Sequence, residues 1–112
     1  MKITQEVQDR KVTLKLEGNF TYTQRKAFQE VMRTVTTDQV EHIIIDLSQV
    51  VFLDSAALGL LMISHRQLDG EKRKLSLAYP QPTVRQILEL ANLHKTIPMI
   101  DAGVSTLAKK SA

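Results

Sequence analysis

Apolar and polar residues alternate along the first part of the chain. Residues 3–7 and 12–17 show this period of two, which predicts two strands, each with one solvent-facing side. The short polar connection at residues 8–10 predicts that the two strands form a hairpin. Gly18 and Asn19 are typical turn residues, and we expect the second strand to end there.

The spacing of the apolar residues then changes to that of a helix. Thr21 and Gln24 have the spacing of a capping box, in which each side chain satisfies a backbone group at the helix start. We therefore predict a first helix from about Tyr22 to Thr36. Its apolar face consists of Ala27, Phe28, Val31, Met32 and Val35.

Three further apolar runs predict the remaining strands. Residues 42–47 are apolar at consecutive positions and rich in β-branched side chains, which predicts a central strand covered on both faces. Residues 48–53 are expected to form a connection. Residues 75–79 alternate again, and residues 97–100 predict a short last strand, where Pro98 requires a sheet edge or a strand end.

Helix signals lie between these strands. Asp54 is a good N-cap residue, and we expect it to start a second helix that runs to about Leu68. Thr83 and Gln86 repeat the capping-box spacing and predict the start of a third helix. Asn92 tolerates the left-handed conformation and is the expected end of that helix.

The predicted order of elements is β-β-α-β-α-β-α-β-α. Strands that alternate with helices predict an α/β fold, here a single domain over residues 1–112 with a mixed sheet of about five strands. We expect the helices to pack mainly on one face of that sheet. The last helix would be capped by Asp101 and carry Val104 and Leu107 on its apolar side.

Composition narrows the class of protein. Hydrophobic residues at 43% and charged residues at 24% are typical of a globular domain, and the absence of cysteine excludes disulfide and thiolate chemistry. No apolar run reaches the ~20 residues that cross a bilayer, so no membrane insertion is expected. The first residues lack the apolar core of a signal peptide, which indicates a cytoplasmic location.

Charge and aromatic content argue against nucleic-acid binding. The formal net charge is +3, and the basic residues are scattered apart from clusters at 72–74 and 109–110. Aromatic residues make up only 4% of the chain and include no Trp, so a platform for stacking bases is not expected.

The residues that could support catalysis or metal binding do not form a known pattern. The three histidines are far apart in sequence; they are His42, His65 and His94. Asp46 and Asp54 flank one segment and could face each other as an acid–base pair, but Asp54 is already assigned as a helix cap. Ser55 lacks the flanking glycines of a hydrolase nucleophile. We therefore expect no enzyme activity, no metal and no cofactor.

The second helix carries more apolar surface than one sheet face can cover. Residues 56–63 are apolar on all sides of the helix apart from Gly59, and Leu53 is placed to pack onto Leu58. One interpretation is that the excess apolar surface binds a partner. The other is that Asp54 and Ser55 merely cap the helix and that the apolar residues are buried in the monomer.

The motif at the start of this helix resembles that of the STAS family, the anti-sigma-factor antagonist domain. Members commonly read Asp-Ser-Ser/Thr/Ala-Gly-Leu-Gly where this chain has Asp-Ser-Ala-Ala-Leu-Gly at residues 54–59. The similarity extends to the hairpin, to Gly18 before the first helix and to the hydrophobic strand that precedes the motif. Ala57 departs from the usual glycine, and Asn92 stands where glycine is usual before leucine.

The resemblance implies a function in partner switching. The serine after the aspartate, here Ser55, would be phosphorylated by a partner serine kinase and dephosphorylated by a serine phosphatase. The unphosphorylated form would bind an anti-sigma factor or a related regulator, and phosphorylation would release it. The match implies that the region at the start of the second helix docks the partner, and the predicted partner-binding residues are Phe52, Leu53, Asp54, Ser55, Ala56, Leu58, Gly59 and Met62. The alternative for Phe52, Leu53, Leu58 and Met62 is that all four are core residues, and Leu58 fits that alternative best.

Two alternative functions stay open within this resemblance. Some similar STAS proteins are structural subunits of membrane lipid ABC transporters and bind the ATPase; a threonine often starts the helix there, so Ser55 favours the regulatory function. A nucleotide- or ligand-binding module would require a phosphate-binding loop, which the four isolated glycines do not form.

Overall fold

Five strands and three α-helices alternate along residues 1–101, the part of the chain that the structure, a computed structural model, describes. The strands are β1 (Lys2–Gln8), β2 (Lys11–Phe20), β3 (His42–Leu53), β4 (Lys74–Ala78) and β5 (Met99–Ile100). The helices are α1 (Arg25–Val35), α2 (Ser55–Gly70) and α3 (Pro82–Leu90), with 3₁₀ turns at Tyr22–Gln24 and Leu93–Lys95. The helix predicted after Asp101 lies outside the described residues.

The strands form one mixed sheet in the order β1-β2-β3-β4-β5. β1 and β2 are antiparallel, whereas the pairs β2–β3, β3–β4 and β4–β5 are parallel. Because parallel strands follow one another in sequence order, right-handed crossovers place the connecting helices on the same face. The α/β fold with a mixed five-stranded sheet and helices mainly on one face is confirmed.

The core lies between the sheet and the helices. Alternate residues of β2 and β3 are buried against the helices, including Leu14 and Ile45 at 0% exposure, while Lys15 and Ile44 retain solvent exposure on the other face. The side chains of the helices complete this core. The buried helical residues are Phe28, Val35, Ala57, Leu60, Leu61, Ser64, Leu68, Val84 and Leu88.

The first helix starts as its capping box predicts. The backbone N–H of Thr21 donates to Oε1 of Gln24 at 2.9 Å. A 3₁₀ turn then leads into α1, so the predicted helix from Tyr22 to Thr36 is confirmed in position. Asn92 adopts the left-handed conformation, with φ of 62°, one residue after the C-cap of α3, as predicted.

Several predicted element ends are wrong. β2 does not stop at Gly18 but continues to Phe20. Gly18 adopts φ of +103°, a conformation that glycine tolerates, so the strand continues through it. Thr83 does not cap α3, since Gln81 is the N-cap and Pro82 occupies the first helical position, which proline favours. Tyr79 lies outside β4, which ends at Ala78 and shows no alternation in burial.

The largest correction concerns the segment between the central strand and α2. Residues 48–53 form a continuation of β3 and not the predicted connection. Two register shifts against β2 each leave one extra residue on β3, which is the geometry of β-bulges. As a result, the buried side chains of this strand change from a spacing of two to a spacing of three. The buried residues are Ile43, Ile45, Leu47, Val50 and Leu53.

Candidate functional site

Asp54 joins three elements at the end of β3. Its Oδ1 accepts a hydrogen bond from the backbone N–H of Ala57 at 2.9 Å, which caps the first turn of α2 as predicted. Its Oδ2 accepts from the backbone N–H of Tyr22, also at 2.9 Å. One carboxylate therefore fixes the start of α2 to the start of the first helical segment.

These contacts keep the Asp54 carboxylate ionised. The N–H of Ala57, followed by that of Tyr22, holds the pKa of Asp54 below its usual value of 3.8. Asp46, the other half of the predicted acid–base pair, accepts from the backbone N–H of Ser48 at 2.9 Å. Both carboxylates accept hydrogen bonds from backbone N–H groups, and the second part of β3 separates them in sequence.

Ser55 is the first residue of α2 and its side chain is exposed to solvent. The hydroxyl forms no hydrogen bond to another residue within 1–101. The N-terminus of a helix presents free backbone N–H groups and a positive dipole end, so added negative charge is stabilised there. The hydroxyl of Ser55 is thus open to solvent at a helix end that stabilises negative charge.

The remaining partner-binding residues predicted from the motif have different degrees of exposure. Phe52 is exposed at 47%, and Gly59 is exposed as well. Leu53 is 2% exposed, so its side chain lies in the core, out of reach of a docked partner. The partly exposed members of the set are Asp54, Ala56, Leu58 and Met62. Seven of the eight predicted residues therefore retain some solvent exposure, although Leu58 and Met62 also pack against the core.

Gly59 is unusual because it lies in the interior of an exposed helix face. A Cβ atom added there would meet no atom within 4 Å, so packing within the monomer does not require glycine. Glycine in a helix interior costs about 1 kcal/mol relative to alanine. One turn later, Ile63 is 51% exposed, which agrees with the interpretation that α2 has more apolar surface than the monomer buries.

Three neighbours of this surface were not predicted from the sequence. Tyr22 and Val51 are exposed at 59% and 55%. The guanidinium of Arg25 lies 4.7 Å from the ring centre of Tyr22, and its Nη2 donates to the tyrosine hydroxyl at 3.2 Å. Parallel pairing of β2 with β3 brings these residues beside Asp54. The capping box at Thr21 was the only sequence signal that pointed to this neighbourhood.

Within residues 1–101, no three His, Cys, Asp or Glu side chains are grouped so that they could hold a metal ion. In the same range, no helix is long and apolar enough to cross a membrane. His42 contacts Ser76, with 2.8 Å between Nε2 and Oγ, at the opposite end of β3 from Ser55.

The chain is thus a small α/β domain with a mixed five-stranded sheet and an exposed serine at the start of a capped helix. The family model of the STAS domain matches residues 2–106. The chain therefore belongs to the STAS domain family, which confirms the resemblance seen in the sequence.

The chain is similar to two named bacterial proteins. It is 30% identical over 84 residues to a STAS-domain containing protein of Pseudomonas aeruginosa (strain UCBPP-PA14), which covers 75% of this chain and 82% of that protein. It is 27% identical to the anti-sigma F factor antagonist of Paenibacillus polymyxa over 63% of this chain and 61% of that protein.

A solved structure supports the fold. The anti-sigma factor antagonist SpoIIAA in its unphosphorylated form superimposes with a TM-score of 0.75 at 24% sequence identity. The superposition covers 90% of this chain and 88% of that one.

Proposed function

We propose that this chain is a phosphorylation-controlled partner-switching regulator of the anti-sigma-factor antagonist type. In its unphosphorylated form it binds an anti-sigma factor with serine kinase activity or a related regulator, and phosphorylation of Ser55 releases that partner. A serine phosphatase restores the binding form. The chain itself has no catalytic role in this cycle, which takes place in the cytoplasm.

The observation that carries this proposal is the position of Ser55. Its hydroxyl is exposed at the first residue of α2, while the adjacent Asp54 provides the cap. A serine that was needed as the cap would instead bind a backbone N–H. The similarity to the anti-sigma F factor antagonist of Paenibacillus polymyxa supports the same function.

A phosphate at Ser55 explains switching without refolding. It would add about −1.5 to −2 charges at a helix N-terminus, where free N–H groups and the helix dipole stabilise them. In a docked and partly apolar interface, the same group must lose water or meet like charge. A penalty of about 3–4 kcal/mol there weakens binding several-hundred-fold.

The test compares Ser55→Ala with Ser55→Asp. Each tagged variant is used to capture partners from the native cells, the partners are identified by mass spectrometry, and their affinity is then measured by calorimetry with purified proteins. We expect Ser55→Ala to retain an anti-sigma factor or serine kinase and Ser55→Asp to lose it, with nearly equal Tm for both variants. Gln39→Glu is the matched control, because it adds one negative charge at an exposed position at the other end of β3.

Two outcomes would contradict the proposal. Equal affinity of wild type, Ser55→Ala and Ser55→Asp for the same partner would show that charge at Ser55 does not control binding. Retention of a transporter ATPase by both variants would instead identify the chain as a transporter subunit.

A further inference from the structure

The aromatic residues of the described chain divide into a buried pair and an exposed group of three. Phe20 and Phe28 are fully buried, with ring centres 5.0 Å apart in the core. Tyr22, Phe52 and Tyr79 are exposed at 59%, 47% and 40%. These three follow or end β2, β3 and β4, so all of them lie at the carboxyl ends of the parallel strands, the same end as Ser55.

Tyr79 adopts a backbone conformation that a bulky residue rarely adopts. Its φ is +55°, in the left-handed region, and its N–H donates to the carbonyl oxygen of Ile100 at 2.7 Å. The ring is not buried in compensation. A strained conformation that holds an aromatic ring in solvent is more typical of a binding surface than of a packing requirement.

The free edge of β3 connects Tyr79 with Ser55. β4 pairs with His42–Asp46 of β3, so among residues 1–101 no strand lies beside β3 on that side from Leu47 to Leu53, a length of about 20 Å at about 3.3 Å per residue. Val51 and Phe52 are exposed along this part of β3. Near the start of this segment of β3, the side-chain amide of Gln81 donates to the carbonyl oxygen of Ser48 at 2.8 Å.

Among the charged side chains of this surface, Arg25 is the one with an unsatisfied hydrogen-bond donor in residues 1–101, beside the ionised carboxylate of Asp54. The carboxylates of Asp46 and Asp54 already accept backbone hydrogen bonds. Arg25, in contrast, keeps a buried Nε with no partner within residues 1–101, and its guanidinium is held against the ring of Tyr22. An arginine fixed on a tyrosine, next to exposed apolar residues, is the composition found at the centres of protein interfaces.

We propose that the docking surface extends from Ser55 along the free edge of β3 to Tyr79. We call this surface the edge strip; it consists of Tyr22, Arg25, Val51, Phe52 and Tyr79. It fits a protein partner that presents an apolar face with a carboxylate opposite Arg25. Its length is compatible with one interface of ordinary size, about 800 Å² on each partner. The identity of this partner as the switched regulator rests on the proposed function.

The first experiment uses site-specific photo-crosslinking in the native cells. The crosslinking amino acid p-benzoylphenylalanine replaces Phe52, Tyr79 or, as control, Leu90, which is 79% exposed on α3. We expect Phe52 and Tyr79 to crosslink to one and the same protein, identified by mass spectrometry, and Leu90 not to do so. Combination with Ser55→Asp should abolish both adducts.

Each other outcome has a distinct meaning. An adduct from Phe52 alone would overturn the extension to Tyr79 and leave the proposed function intact. Adducts from both positions that persist with Ser55→Asp would contradict the proposed function but retain the edge strip. No adduct from either position, or an equal adduct from Leu90, would overturn the edge strip.

The second experiment measures affinity for the crosslinked protein after its purification. Tyr79→Asn removes the ring and suits the left-handed backbone, so we expect a higher Tm together with about tenfold weaker binding. Tyr79→Phe should leave both values unchanged. Arg25→Gln tests the carboxylate, and we expect weaker binding that depends less on salt than that of the wild type. Unchanged affinity in Tyr79→Asn or in Arg25→Gln would reject the corresponding part of the surface.

Discussion

The two halves of β3 belong to one strand but are stabilised in different ways. From His42 to Asp46 the strand has a neighbour on both sides, and its side chains alternate between the core and the open face. From Ser48 to Leu53 its only neighbouring strand in the described part of the chain is β2. This half contains register shifts and exposes the consecutive residues Val51 and Phe52. Both halves contribute buried residues to the core, but only the second half also presents large apolar side chains, Val51 and Phe52, to solvent.

Polar contacts replace the missing strand in the second half. Gln81 binds the carbonyl oxygen of Ser48, Asp46 accepts from the N–H of Ser48, and Asp54 fixes the far end. Buried backbone groups need hydrogen-bond partners, and these side chains supply part of what a neighbouring strand would supply. The exposed half is therefore held in place without being covered.

Replacing a residue in each half should separate the two roles most clearly. Ile45→Ala removes a fully buried side chain from the first half and should lower the free energy of unfolding by about 2–5 kcal/mol. Phe52→Ala removes a ring that is 47% exposed, and its cost should be about 1 kcal/mol or less. Urea denaturation of both variants measures the difference.

Binding should show the reverse order for these two variants. At a temperature where Ile45→Ala remains folded, its affinity for the partner should equal that of the wild type, whereas Phe52→Ala should bind more weakly. Equal losses of stability in the two variants would show that Phe52 contributes to the core as much as Ile45 does, and the comparison would fail.

The sequence predicts the first half of β3 better than the second for a physical reason. An apolar run such as residues 42–47 indicates a strand that is buried on both faces. This signal lies within the run itself and depends little on the rest of the chain. A bulge moves side chains out of the period of two, so residues 48–53 lost the alternation that identifies a strand. Gly18 misled the prediction of β2 in a related way, because a twisted strand and a turn both favour glycine.

The site was predictable where a local motif was sufficient. Asp54 as the cap and Ser55 at the helix start follow from residues adjacent in sequence. The contact between Asp54 and Tyr22 joins residues 32 positions apart and depends on the parallel pairing of β2 with β3. The place of the Arg25–Tyr22 pair beside Asp54 was missed for the same reason, because the contact of Tyr22 with Asp54 arises from tertiary structure.

Removing the anchor at the end of β3 should have a smaller effect than removing core. Asp54→Ala takes away the acceptor of two backbone N–H groups, so Tm should fall, but by less than in Ile45→Ala. The lowered pKa of Asp54 means that its contribution is fully present above about pH 3.8 and is lost as pH falls through the folded value. The gap in Tm between wild type and Asp54→Ala should therefore narrow below that pH.

Two variants control this prediction. Asp54→Asn keeps one acceptor oxygen and should retain part of the stability at neutral pH, because asparagine is also a good N-cap. Asp69→Ala removes an exposed carboxylate near the end of α2 and should leave Tm almost unchanged. A gap that stays constant from neutral to acidic pH would contradict the assignment of an ionised cap.

The smallest expected effect concerns His42, in the half of β3 that has a neighbouring strand on both sides, and it is seen in how stability depends on pH. Burial, followed by the charges of Lys74 and Lys11, lowers the pKa of His42 below its usual value of 6.5. The unfolded chain then binds the proton more readily than the folded chain, so stability is fully present above about pH 6.5 and decreases as pH falls below it. His42→Gln should remove this decrease while keeping a polar partner for Ser76. Melting curves at about pH 7.5 and about pH 5.5 measure the effect, because these two values bracket the usual pKa of about 6.5. His94→Gln is the control, since His94 is exposed, and it should behave like the wild type. An identical loss of Tm in wild type and His42→Gln would show that this end of the sheet is as open to solvent as the edge strip.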